Sequence, residues 1–149
     1  MPHPDLPTQL LESPSFQLER LRRRTKDMVN SALSKQETSL REYWCLTCVV
    51  DRDGTSQNTL CELLAVDASD MVRLVDALER RGWVKRERDP KDRRRQIVTP
   101  TKKGKLAQKK LADLVEKAED EALDESTNKQ LKHLRKLAKA IIAIEEVES

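Results

Sequence analysis

The chain has 149 residues and a net charge of +3; 37% of its residues are charged and only 3% are aromatic. These numbers suit one domain, with or without a dimerisation extension, built from long solvated helices rather than from a β-sandwich or barrel. A membrane span is excluded because no apolar run reaches roughly 18 residues. A secretion signal is excluded because the start MPHPDLPTQL has no apolar stretch, and a disulfide scaffold because there are only three cysteines. We therefore expect a cytoplasmic protein with no membrane partner.

Proline marks the beginning of the chain. Four of the six prolines lie within the first 14 residues, which predicts a flexible, extended N-terminal tail over residues 1–15. From Phe16 to Leu33, apolar residues recur mostly at helical intervals and predict an amphipathic helix. A second helix is expected from about Ser39 to Asp51, ended by a turn at Asp53-Gly54.

The next segment has the pattern of a helix-turn-helix. Ser56 stands at the N-cap of a short helix that ends near Ala65, and Asp67 stands at the N-cap of a longer helix that runs to Arg81. Gly82 follows at the position where a left-handed C-cap is usual. Two helices joined by a tight turn, the second one longer, are typical of this motif.

A basic β-hairpin is predicted directly after the helix-turn-helix. The side chains of residues 83–88 alternate with a period of two, residues 95–99 form a second run that contains Ile97 and Val98, and the turn-forming residues 89–94 lie between them. Thr101 then caps a helix that reaches about Leu123, and a last helix carries apolar residues close to a heptad spacing. The predicted fold class is mainly α with a small β-hairpin wing: a winged helix-turn-helix DNA-binding domain plus a helical dimerisation region.

The charge is distributed unevenly along the chain. Residues 80–110 contain fourteen basic and three acidic side chains, a net +11, so the rest of the chain carries −8. A solvated basic face is the ordinary interpretation of such a run. Because this run lies on and after a predicted wing, we interpret it instead as a surface for a polyanion, namely double-stranded DNA.

Three groups of residues are the candidates for DNA contact. The start of the shorter helix suits a phosphate, the exposed face of the longer helix suits base edges in the major groove, and the hairpin tip suits the minor groove. The candidates, in that order, are Ser56, Gln57 and Asn58; Ser69, Asp70 and Arg73; and Lys91, Arg93, Arg94 and Arg95. Asp92, beside the arginines, is expected to fix their geometry.

The stretch from Leu60 to Gly104 resembles the multiple-antibiotic-resistance regulator (MarR) family of winged-helix regulators. The similarity rests on the pattern D-x-S…RLVD-x-LE-x-x-G in the recognition helix, DP-x-DRR in the wing and the closing T-x-x-G. The order of the flanking helices extends it to about residues 16–146. Two positions depart from the family pattern: Asp70 stands where Thr is usual, and Pro100 replaces the common Leu.

The resemblance implies a homodimeric transcriptional regulator, a repressor or an activator, of which we favour the repressor; its dimer is expected to read an inverted-repeat (pseudo-palindromic) operator. It implies that Ser69 and Arg73 match DNA-contacting positions and that residues 92–94 match the wing motif. Residues 16–36 and 101–147 would then form the dimerisation region, and residues 37–100 the DNA-binding domain. Apolar stripes on both sides of the wing domain in sequence independently favour a dimer, with intrachain packing as the alternative.

Two signals are candidates for regulation. Tyr43 and Trp44 are candidates to line a cleft for a small aromatic effector, since relatives bind phenolic compounds; core packing is the alternative. Cys45 and Cys48, one helical turn apart, and Cys61 offer a thiol-based redox switch instead. The ordinary interpretation of these thiols is that they are small buried hydrophobes.

The remaining classes of function have little support in the sequence. A zinc site needs four ligands, but His3 and His133 are the only histidines, and no ligand spacing is recognisable. No catalytic arrangement and no Gly-rich phosphate loop is present, so we expect neither an enzyme nor a cofactor. A winged helix used for protein–protein contact remains an alternative of another class, although such modules usually lose the basic wing tip.

Overall fold

The computed structural model of the protein describes residues 5–148, and side chains as far as residue 145. Helices and strands follow the predicted order, with one short helix and one short strand added. The helices are α1 (Thr8–Leu11), α2 (Pro14–Ser34), α3 (Leu40–Arg52), α4 (Gln57–Leu64), α5 (Ala68–Arg80), α6 (Lys102–Ala122) and α7 (Asn128–Glu148). The strands are β1 (Thr55–Ser56), β2 (Val84–Arg88) and β3 (Gln96–Pro100).

The N-terminal prediction of an extended tail is wrong for two stretches. Residues 8–11 form a helical turn, and α2 begins at Pro14 rather than at Phe16. Pro7 is the N-cap of α1 and Pro14 is the first residue of α2, positions where the missing N–H of proline would have no helical partner. The prolines therefore begin helices here instead of preventing them. Residues 1–4 of the predicted tail lie outside the described part of the chain.

The predicted helix starts are confirmed by their caps. The side-chain oxygens of Ser39, Ser56, Asp67 and Thr101 each accept a hydrogen bond from a backbone N–H three residues on, at 3.3, 3.1, 2.8 and 2.9 Å respectively. Each bond satisfies a donor that the first helical turn leaves free. Gly82, with φ +74°, takes the left-handed conformation predicted for it after α5.

The wing is a three-stranded antiparallel sheet with the strand order β1-β3-β2. The predicted hairpin of β2 and β3 is confirmed, with Val84 opposite Pro100 and Arg88 opposite Gln96. Its two-residue partner β1, which pairs Ser56 with Ile97, was not predicted. A strand of two residues is too short to show an alternation in the sequence, so no sequence pattern predicts it.

The hydrophobic core lies where α3 and α5 pack against the sheet, and it continues between α2 and α6. Helix α3 contributes the buried side chains of Cys45, Leu46 and Val49 to this core. Trp44, for which core packing was the alternative to a place in a cleft, is 45% exposed. Trp44 therefore lies at the edge of the buried face of α3 rather than in the core.

Two helical regions leave large apolar side chains in solvent. On α7, Leu137, Ile141, Ile142 and Ile144 are each more than half exposed, and the helix makes only sparse contacts with the rest of residues 5–148. Leu10, Leu11, Leu18 and Leu21 are exposed at the other end of the chain. No helix in the described range is long and apolar enough to cross a membrane.

Candidate nucleic-acid interface

The N-terminus of α5 is organised by the carboxylate of Asp67. It accepts hydrogen bonds from the backbone N–H of Asp70 and from the hydroxyl of Ser69, both at 2.8 Å. These bonds, the backbone one first, hold the pKa of Asp67 below its usual range. Ser69 is exposed, but its hydroxyl proton is already donated to the N-cap residue Asp67. The oxygen lone pairs of Ser69 remain available to accept a hydrogen bond from a ligand.

The outer face of α5 presents Arg73 to solvent. Its side chain is 81% exposed and lies 3.7 Å from the carboxylate of Asp70. Val72, beside it, is also exposed. This face therefore carries a long cation and short side chains, which suits approach to the base edges of a major groove.

The structure corrects one of the three residues expected at the start of α4. Ser56 is only 4% exposed, because its pairing with β3 and its capping bond to the N–H of Thr59 draw its side chain inward. Its hydroxyl is thus not available to a phosphate. Gln57 is half-buried, and its Oε1 has no hydrogen-bond partner within the described chain. Asn58 is exposed as expected.

The wing tip is ordered by two acidic residues. Oδ1 of Asp89 accepts from the N–H of Lys91 at 2.9 Å, and Oδ1 of Asp92 accepts from the N–H of Arg94 at 3.1 Å. Asp92 therefore fixes the geometry of the tip, as expected from sequence. Arg95 lies 3.9 Å from Asp89, whereas Lys91, Arg93 and Arg94 make no ion pair with residues 5–148. Three exposed cations are thus held on a pre-formed ribbon.

Arg86 ties the wing to α5, a contact that was not predicted. Its guanidinium donates to the carboxylates of Asp76 and Glu79, and its side chain is 20% exposed. The hydrogen bond to Asp76 is the main cause that raises the pKa of Arg86. The signal in the sequence was the alternation in β2, which puts Arg86 on the same face as buried Val84.

Arg81 forms a second anchor that sequence reasoning missed. Its guanidinium donates to the carbonyls of Glu37 at 2.6 Å and Gln36 at 2.8 Å, in the turn between α2 and α3. It also lies over the ring of Trp83, 4.3 Å from the centroid. The C-terminal end of α5 is thereby fixed to the turn that follows α2.

A cleft of about 770 Å³ lies between α2, α3, α5 and α6. Tyr43 and Trp44, the candidates for contact with an aromatic effector, both line it. Its charged lining consists of Arg22, Lys26, Arg41 and Glu119. Partial burial raises the pKa of Glu119. The cleft thus combines aromatic walls with an excess of positive charge.

The three thiols lie in surroundings that disfavour the thiolate. Cys45 is fully buried, its Sγ lies 3.8 Å from Sδ of Met71, and burial raises its pKa to about 12. Burial also raises the pKa of Cys48 and of Cys61. Because the thiolate is the form that reacts with oxidants, the raised pKa values disfavour the thiol-based redox switch.

Metal-ligating side chains do not cluster in the part of the chain that the structure describes: no three His, Cys, Asp or Glu residues there are placed to hold an ion. His133 stands on α7, and His3 lies outside the described residues.

Comparison with known proteins shows which family the chain resembles. The model of the MarR family matches residues 38–95. The HTH-type transcriptional regulator BilQ of Clostridium symbiosum is 29% identical over 104 residues, 70% of this chain and 72% of that protein. The chain spans less than half of two other curated regulators that it matches, 37% of one and 47% of the other.

Solved structures show the same fold. A MarR-family transcriptional regulator from Rhodococcus sp. RHA1 has a TM-score of 0.80 and 26% identity, covering 87% of this chain and 95% of its own. CouR from Rhodococcus jostii RHA1, solved with p-coumaroyl-CoA, has a TM-score of 0.76 and 27% identity, covering 89% and 93%.

Proposed function

The chain belongs to the MarR family, and on that premise we propose that it is a homodimeric, sequence-specific transcriptional repressor of the cytoplasm. It binds an inverted-repeat operator and leaves it when a small aromatic effector occupies the cleft. The observation that carries the proposal is the pairing of an exposed α5 face with an ordered basic wing tip, the two being linked by the hydrogen bond of Arg86 to Asp76.

DNA contact is assigned to the candidates that remain accessible. Ser69, Asp70 and Arg73 face the major groove, and the wing tip enters the adjacent minor groove. The residues at the tip are Lys91, Arg93, Arg94 and Arg95. Asn58, with a smaller part for Gln57, contacts a phosphate at the start of α4.

A second copy of the chain covers the exposed apolar faces of α7, α1 and α2. One chain leaves Leu137, Ile141 and Ile142 in water, and a two-fold partner buries the same surface on both protomers. Residues 16–36 and 101–147 thus form the dimerisation region and residues 37–100 the DNA-binding domain.

The cleft supports an aromatic effector. Tyr43 and Trp44 provide stacking surfaces, and the cleft lies where the dimerisation and DNA-binding parts meet. A structural relative with 27% identity, CouR, was solved with the aromatic thioester p-coumaroyl-CoA. The thiol-redox alternative has no comparable support, because the pKa of each cysteine is raised.

Selection of DNA from a random-sequence duplex library tests the proposal. We expect recovery of an inverted repeat with half-sites roughly 10 base pairs apart, bound by two chains. The control protein carries alanine at both Arg93 and Arg94, which we expect to enrich no sequence. A wild-type chain that enriches no sequence leaves the winged-helix protein–protein module as the remaining function.

A further inference from the structure

Asp70 on α5 lies between two arginines that belong to different surfaces. Its Oδ2 is 3.9 Å from the guanidinium of Arg41 on α3, and its Oδ1 is 3.7 Å from that of Arg73 on α5. One carboxylate is therefore shared by a residue that faces the proposed DNA and a residue on another helix. It is also one of the two positions at which the sequence departs from the family pattern.

Arg41 is at the same time part of the lining of the cleft. It stands one helical turn before Trp44, so both side chains lie on the same side of α3. Arg22 and Lys26 add two further cations to the lining, against one acid, Glu119. Such a cleft attracts an organic anion, and an anion bound there competes with Asp70 for Arg41.

We propose that Asp70 is a positioning residue for Arg73, and that Arg41 determines how strongly the carboxylate of Asp70 attracts the guanidinium of Arg73. Negative charge in the cleft therefore lowers the affinity of the protein for DNA. This inference rests on the proposed function, since it assigns a regulatory role to the cleft and a DNA-contacting role to Arg73.

The physical basis is the sharing of one negative charge between two cations. While Arg41 is close, it offsets part of the charge of Asp70, and Arg73 is free to turn toward a phosphate or a base. Once Arg41 is drawn into the cleft, the whole charge acts on Arg73 and on the approaching phosphates. All three side chains are at least 40% exposed, so the effect is modest: ion pairs of this kind shift an equilibrium by up to about fivefold.

A double-mutant cycle tests the coupling without a known effector. The probe is the duplex selected by the wild-type chain, and its affinity is measured by fluorescence anisotropy at one fixed salt concentration. In the wild-type background, Arg41→Gln is expected to weaken DNA binding about two- to fivefold. In the Asp70→Asn background, the same substitution is expected to weaken DNA binding by less than about 1.5-fold. Arg22→Gln, which removes the same charge from the same cleft, is the control and is expected to act equally in both backgrounds.

A second arm places the negative charge in the cleft itself. Trp44→Glu puts a carboxylate one turn from Arg41, and Trp44→Gln is its uncharged counterpart. We expect the Glu variant to bind the duplex about two- to fivefold more weakly than the Gln variant, with the difference lost in the Asp70→Asn background.

The outcomes separate the two proposals. If the Arg41 and Trp44 substitutions each change DNA affinity by the same factor with Asp70 as with Asn at position 70, the coupling is overturned and the DNA-binding function remains. A wild-type chain that selects no duplex overturns the proposed function and the coupling with it. Circular dichroism of each variant confirms folding, which these exposed substitutions are expected to preserve.

Discussion

Arg86 on β2 donates a guanidinium hydrogen bond to Asp76 on α5, so the wing and the recognition helix are joined by a charged contact in which Arg86 is 20% and Asp76 43% exposed. Arg86→Ala is expected to lower the free energy of unfolding by about 1–3 kcal/mol, because it leaves Asp76 without its partner. DNA affinity is expected to fall further than for Lys85→Ala, whose side chain lies on the exposed face of the same strand. Chemical denaturation and a gel-shift titration measure the two effects. Identical behaviour of the two variants contradicts the role of Arg86 as a link.

The wing-tip arginines are expected to matter for DNA and not for the dimer. Arg93→Ala and Arg94→Ala each remove a cation that is unpaired within residues 5–148, and each is expected to weaken operator binding severely. The slope of log affinity against log salt is expected to fall by about one for each residue that contacts a phosphate. Arg23→Ala, an exposed position on α2, is the control. Unchanged affinity in a gel-shift titration removes the wing from the mechanism.

The elements that sequence predicted share a local cause. Ser39, Asp67 and Thr101 mark helix starts because a cap bonds an N–H only three residues away, and the hairpin follows from alternation around a turn. Such signals are contained in a few neighbouring letters.

What was missed depends on residues distant in the chain. The bonds of Arg81 to the carbonyls of residues 36 and 37 span more than forty positions, and no local pattern specifies them. Ser56 was assigned to phosphate because a free hydroxyl at a helix start suits one; its burial comes from pairing with β3. Local chemistry thus located the candidate site, while tertiary packing decided which of its members face solvent.

Gly104 is expected to be intolerant of substitution. A Cβ at this position would lie 1.9 Å from the carbonyl oxygen of Trp83, which is backbone and cannot turn aside. Gly104→Ala is expected to cost about 1–3 kcal/mol of unfolding free energy, or more, despite the higher helix propensity of Ala. Thermal denaturation measures it against Lys109→Ala, an exposed position of the same helix. A stabilised Gly104→Ala protein contradicts the close contact between α6 and Trp83.

The buried thiol of Cys45 predicts a loss of stability at alkaline pH. Its pKa rises from an unfolded value of 9.0 to about 12 on folding, so the folded chain holds the proton more tightly than the unfolded chain. This contribution is complete below about pH 9 and is lost as the pH rises from 9 toward 12. Unfolding free energies measured across that range are expected to fall more steeply for the wild type than for Cys45→Ala. Parallel profiles contradict the shift.

The same thiols predict indifference to mild oxidants. Hydrogen peroxide at neutral pH is expected to leave the protein–DNA complex intact, because each pKa is raised and little thiolate forms. The comparison is a chain with Cys45, Cys48 and Cys61 all changed to Ser. Release of DNA from the wild type alone revives the redox mechanism.

The apolar stripe of α7 predicts the oligomeric state. Ile141→Glu is expected to convert a dimer to monomers, because it places a charge at the centre of a surface that a partner covers. Lys139→Glu, which changes charge at an exposed polar position of the same helix, is expected to leave the dimer unchanged. Light scattering during size-exclusion chromatography reports the mass of each. A monomeric wild type contradicts the proposed assembly.

Because α7 makes only sparse contacts with its own chain, we expect the stability of this helix in the proposed dimer to depend on the concentration of the protein. A helix that finds its apolar neighbours only in another copy is stabilised by mass action, so its order depends on how many chains are present. At low protein concentration the proposed dimer dissociates, and the two recognition helices that would read an inverted repeat are no longer held together. We therefore expect DNA binding by the proposed dimer to set in above a threshold concentration of the protein, and the twenty-one residues of α7 to determine how steeply it does so.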